Sequence, residues 1–113
     1  MPPTDTIAYK ILTAEQFAAL CEDRFPGAPV DIADGYIHLS TTAQLDETLR
    51  KHFAGQAGLV IAAIDLTALG GALRWEVSRG GQLFPHVYGA LRWSHVRAHM
   101  PLAWENGRAR LPV

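Results

Sequence analysis

A single cysteine, Cys21, among 113 residues excludes an intramolecular disulfide, and with it the disulfide-stapled small domains of oxidising compartments. Long apolar runs are also missing. The longest, Leu59-Val60-Ile61-Ala62-Ala63-Ile64, falls far below the roughly 20 residues that a membrane helix needs. The opening Met1-Pro2-Pro3-Thr4-Asp5 has neither the basic nor the apolar region of a signal peptide, so a soluble, cytoplasmic chain is expected. Neither charge sign dominates: the net charge of −1 argues against strong nonspecific binding to nucleic acid. Repeats, linkers and low-complexity tracts are absent. So are G-x-S-x-G, which leaves an α/β-hydrolase elbow unsupported, and H-E-x-x-H, which removes one common zinc pattern.

What is present suits one globular domain, with 49% apolar and 19% charged residues. Charge is unevenly spread. Residues 1–65 hold four Lys/Arg against nine Asp/Glu, whereas residues 66–113 hold six arginines against two glutamates. Arginine suits planar contacts to phosphate or carboxylate, though a mixed solvated surface explains the same pattern.

Residues 7–12 read as an opening strand. Thr13 and Gln16 form a capping box for a helix in which Phe17, Leu20 and Cys21 share a buried face. Pro26, Gly27, Pro29, Asp34 and Gly35 mark residues 23–35 as a long loop. A strand over 36–40 leads into a second helix from Thr41 or Thr42 to about Phe53, with Leu45, Leu49 and Phe53 as its buried stripe and Glu47 able to pair with Lys51. Leu59 to Ile64 reads as a central strand covered on both faces. Leu73, Trp75 and Val77 alternate with Arg74 and Glu76 as a half-buried strand, and Asn106-Gly107 signals a type I′ hairpin. The order β-α-β-α-β followed by further strands predicts an α+β fold.

Two histidine-centred segments carry the chemistry: Asp34-Gly35-Tyr36-Ile37-His38-Leu39-Ser40-Thr41 and Phe84-Pro85-His86-Val87-Tyr88-Gly89. Side chains two apart on a strand share a face. Tyr36, His38 and Ser40 therefore look one way while Ile37 and Leu39 anchor the core, and His86 shares a face with Tyr88. His86 is the best acid/base candidate because an imidazole ordinarily titrates near neutrality. His38 and Ser40 either contact ligand or tie loops together. His95 and His99, four apart on a predicted strand, lie about 13 Å apart and cannot share an ion, so no metal is expected. Arg79-Gly80-Gly81 reads as a phosphate-binding nest or as an ordinary tight turn. Glu76 pairs with Arg74 on the surface or lines a cleft beside the second segment.

The two segments, with Arg79-Gly80-Gly81 between them, resemble the bacterial domain of unknown function 952 family over nearly the whole chain. The resemblance implies a fold similar to that of ADP-ribosyltransferases, in particular the RNA 2′-phosphotransferases: a split, mainly antiparallel sheet with two main helices around a cleft. His38-Leu39-Ser40 and residues 41–53 resemble the phosphotransferase His-Leu-Ser strand and its following helix, and Leu59–Asp65 its apolar strand. Tyr9 matches the tyrosine of the opening Tyr-His-Gly-Thr motif, while Lys10 stands in place of the histidine that helps to hold the NAD ribose. NAD is the cofactor so implied, and the change at Lys10 departs from the pattern that would bind it.

The implied function is binding, or turnover, of a nucleotide-like or phosphorylated small molecule. His38, His86 and Glu76 are the catalytic candidates. Lys10, Tyr36, Ser40, Thr41, Arg79 and Tyr88 are the ligand-binding candidates, with Lys10 and Arg79 neutralising phosphate. The alternative is a noncatalytic module that senses a metabolite or docks a partner.

Overall fold

The computed structural model describes residues 3–112, apart from the side chain of Arg79. Strand β1 (Ile7–Leu12) pairs antiparallel with β3 (Val60–Asp65), and β3 pairs antiparallel with β6 (Val96–Pro101), giving a sheet of order β1-β3-β6. Alternation of side chains explains the unbroken apolar run in β3. Ala62 and Ile64 join Ala8, Leu12, Leu20, Ile37, Leu39 and Val87 in one cluster, while Ile61 and Ala63 join Tyr9, Ile11, Leu45 and Leu49 in a second. Both faces are thus covered, and each fully buried Leu or Ile contributes roughly 1.5–3 kcal/mol.

The second sheet has the order β2-β5-β4, from Ile37–His38, Leu83–Val87 and Leu73–Val77, and its two pairings are also antiparallel. Its apolar face, carrying Ile37 and Val87, packs on the first cluster. The chain after β2 crosses from one sheet to the other. Leu39 N–H donates to the Pro85 carbonyl at 3.1 Å, and Ser40 then exchanges two backbone hydrogen bonds with Tyr9, at 2.7 and 3.0 Å. A final two-stranded hairpin joins β7 (Trp104–Glu105) to β8 (Arg108–Ala109). Positive φ at both Asn106 (54°) and Gly107 (78°) is what the type I′ turn requires.

Helix α1 (Ala14–Cys21) starts at the Thr13–Gln16 capping box, as its sequence predicts. Cys21, however, is exposed rather than buried. It is the last helical residue, about 100° round the axis from fully buried Leu20 and past the packed stripe. Residues 23–35 are not wholly loop, because a short helix α2 (Pro29–Asp34) lies within them and joins the two main helices. Its prolines and glycines are helix punctuation. Pro29 occupies the first turn, and Gly35 closes the end in the left-handed region at φ 87°. Helix α3 (Thr42–His52) follows Thr41 and buries Leu45 and Leu49, with the Glu47–Lys51 ion pair at 2.9 Å on its surface. In β4, Leu73 and Trp75 pack on the core, whereas Val77 is 68% exposed at the far end of this edge strand. Among the described residues, no helix is long and apolar enough to cross a membrane.

Candidate functional site

Strand register builds the site. In the second sheet His38 stands directly opposite His86, and on the other side of β5 Arg74 stands opposite the same histidine. Tyr36, two residues before His38, lays its ring 4.7 Å from the His38 ring, 4.2 Å from His86 and 5.2 Å from Tyr88, centroid to centroid. The two imidazoles are 5.3 Å apart and nearly edge-on. Four rings therefore converge on the sheet face opposite Ile37 and Val87, where the side-chain period of two puts them.

Glu76 on β4 pairs with Phe84, and its side chain runs diagonally to the next residue on that face of β5. Its Oε1 lies 2.8 Å from His86 Nδ1, and the Tyr88 hydroxyl donates to Oε1 at 2.8 Å and to Oε2 at 3.1 Å. Hydrogen bonds from His86 and then Tyr88 hold the Glu76 carboxyl below its ordinary value, while the same bond to Glu76 raises the Tyr88 phenol. The Arg74 guanidinium sits 4.8 Å from the Tyr88 ring centre. The His86 side chain is 2% exposed, and among the described residues no buried side-chain nitrogen or oxygen lacks a hydrogen-bond partner. Glu76 orients the ring through Nδ1. A carboxylate hydrogen-bonded to the imidazole that it orients is the pairing a proton-transfer unit uses.

His38 is held from below by a buried ion pair. Asp31, whose side chain is 1% exposed, accepts from His38 N–H at 3.1 Å and sets the same Oδ1 2.7 Å from His38 Nδ1. Its Oδ2 meets Lys10 Nζ at 2.9 Å and accepts from Ala28 N–H at 2.8 Å. Lys10 also donates to the His38 carbonyl at 3.0 Å. Burial would raise the Asp31 carboxyl, but the His38 hydrogen bond and the Lys10 charge together outweigh it and hold the group at about 2. Burial pushes the Lys10 ammonium down against the pull of Asp31. On the outer side, His38 Nε2 lies 3.0 Å from Oδ2 of Asp34, the last residue of α2.

Of the residues singled out in the sequence, Tyr36, His38, Glu76, His86 and Tyr88 come together. Lys10 reaches this cluster only from within, with its ammonium turned to Asp31 and the His38 carbonyl. Ser40 and Thr41 lie apart from the rings and are buried. Ser40 Oγ is 2.8 Å from Thr48 Oγ1, and Thr41 N–H donates to Gln44 Oε1 ahead of α3. Arg79 opens the tight turn between β4 and β5, and its side chain lies outside the described residues. His95 Nδ1 accepts from Arg92 N–H, while His99 packs against Phe17 and Trp93. Among the described residues no group of three His, Cys, Asp or Glu side chains is placed to hold a metal ion. Sequence reasoning missed Asp31 altogether and treated Asp34 only as a turn former. Reading Pro29 and Gly35 as the two ends of a helix would have put both acids on one turn, three apart, facing the next strand.

Beside the cluster a cleft of about 380 Å³ opens between α2 and the segment after β5, and Asp31 and Tyr36 belong to its walls. An α+β domain of two antiparallel three-stranded sheets, with a histidine–carboxylate–tyrosine cluster at a cleft, is the class that fold and site define. The chain belongs to the family described as protein of unknown function (DUF952), whose model matches residues 11–99. It is similar to the crystal structure of protein CC0527 from Caulobacter crescentus, at 44% identity and a TM-score of 0.84, over 93% of this chain and 94% of that one. A double-mutant crystal form of CC0527 matches at 42% identity and TM-score 0.83 over the same shares. Its solution structure matches at 44% and 0.77, over 93% of this chain and 91% of that one. No curated protein matches the chain.

Proposed function

We propose that the ring cluster and its cleft bind a nucleotide-like small molecule on a frame of the ADP-ribosyltransferase type. One observation carries this reading: Tyr36, His38, Glu76, His86 and Tyr88, contributed by three strands and their ends, converge beside an open cleft. The two small antiparallel sheets, linked at the isolated Tyr9–Ser40 bridge, support the frame.

The donor set fits the sugar and ring parts of NAD better than its diphosphate. Glu76 and Asp34 accept from hydroxyls, and the tyrosine rings stack. Lys10, expected together with Arg79 to meet phosphate, is neutralised internally by Asp31. Arg74 is the described cation that the cluster itself holds, so it takes the phosphate role. His86 takes or gives the proton at Nε2, with Glu76 fixing its ring.

A noncatalytic sensing role is the second reading, and a specific contact favours it. Both nitrogens of His38 already face carboxylate oxygens, leaving that ring no atom for chemistry while Asp34 stays in place. Calorimetric titration with NAD tests the proposal. Saturable heat in the wild type, lost in His86→Ala and in Tyr36→Ala, is expected. Equal binding by all three proteins, or none by the wild type, contradicts it. Release of nicotinamide by the wild type but not by His86→Ala would select turnover over sensing.

A further inference from the structure

The cleft beside the ring cluster differs from the cluster in chemistry. Phe25, Ile32, Tyr36, Val87, Gly89 and Ala90 are among its walls, and they are apolar apart from one phenol. Among the described residues the charged side chain bordering it is Asp31. A carboxylate offers about four lone-pair positions, and Asp31 meets four donors: two groups of His38, Lys10 Nζ and Ala28 N–H. The Lys10 charge is matched by the same contact. The cleft therefore presents no uncommitted charge, and a phosphate or an ammonium placed there would lose its hydration with nothing in exchange. An uncharged ring loses little.

Its volume, about 380 Å³, lies at the small end of the range for small-molecule sites, roughly 300–1,000 Å³. Tyr36 connects the two regions, since it lines the cleft and also stacks within the cluster, 4.2 Å from His86 and 5.2 Å from Tyr88. A ligand whose ring fills the cleft thus carries its next atoms past Tyr36 toward Glu76 and Tyr88, where hydroxyl groups find acceptors.

We propose that this cleft is a subsite for the uncharged planar base of a nucleoside, whose ribose hydroxyls reach the Glu76–Tyr88 pair. The inference rests on the binding reading above and adds which end of the ligand lies where. Phosphate stays outside.

The test uses calorimetry on the full chain with two probes, adenosine and ribose 5-phosphate. Two variants narrow the cleft from exposed positions, Ala90→Leu and Ile32→Trp; far-UV circular dichroism identifies any variant that misfolds, and the other then serves. Adenosine affinity is expected to fall by at least about tenfold in each variant, with ribose 5-phosphate affinity changing by less than about twofold. Unchanged adenosine affinity in a folded variant overturns the subsite. Wild-type protein that binds ribose 5-phosphate or NAD but not adenosine overturns the subsite while leaving the binding reading intact. Failure of all three ligands overturns both.

Discussion

Asp31 decides how His38 is held. Four donors converge on one buried carboxylate, and two of them belong to His38 itself. Replacing one partner of a buried ion pair strands the other charge, at a cost of about 3–5 kcal/mol. Asp31→Asn is therefore expected to lose about 3 kcal/mol in urea unfolding at pH 7, by leaving the Lys10 ammonium without its counter-ion. The pH dependence has a definite direction. The Asp31 carboxyl is lowered from 3.8 to about 2 on folding. Its stabilisation, about 2 kcal/mol at roughly 1.4 kcal/mol per pH unit, is present above the unfolded value and lost as pH falls from there through about 2. Stability measured between pH 5 and pH 2 should fall more steeply for the wild type than for Asp31→Asn; parallel curves would contradict the assignment. At the other histidine, Tyr88→Phe removes both contacts of the phenol with Glu76, at 2.8 and 3.1 Å. The Glu76 carboxyl should then titrate closer to its ordinary value in a carbon-detected NMR titration, with His86 still bonded to it.

Helix α2 brings Asp31 and Asp34 to the site, and its end depends on Gly35. The φ of 87° is costly for any side chain, although a Cβ there would meet nothing within 4 Å. Gly35→Ala should cost about 1–2 kcal/mol from backbone strain alone. A loss well above that would mean that the turn also packs against something unseen. Elements with strong periodicity were legible in the sequence. The capped α1, the stripe of α3, the doubly covered β3 and the Asn106-Gly107 hairpin all form where their patterns fall. Helix α2 was not legible, because six residues are too few for a stripe and its Pro and Gly look like loop composition. The site was half legible for a related reason. A period of two gives the shared face of Tyr36 and His38, but the Glu76–His86 contact depends on the β4–β5 register. The two strands meet across the Ser78–Gln82 turn, where Ser78 N–H donates to the Gln82 carbonyl at 2.9 Å.

At the scale of the molecule, the sheet β1-β3-β6 separates two apolar clusters and lends side chains to both. Neither half can lose its packing without exposing the shared strands. Unfolding should therefore be one cooperative transition, with tryptophan fluorescence and far-UV circular dichroism giving coincident urea curves. The same arrangement fixes the site: sheet packing through Ile37 and Val87 leaves the opposite face of β2 and β5 to the histidines. Five histidines serve as built-in reporters, since His52, His95 and His99 lie outside the cluster. The most direct measurement follows all five imidazole signals by long-range 1H–15N NMR while NAD is added. Saturable shifts confined to His38 and His86 are predicted. Shifts at the other three rings alone, or none at millimolar NAD, would contradict a nucleotide cleft at this cluster.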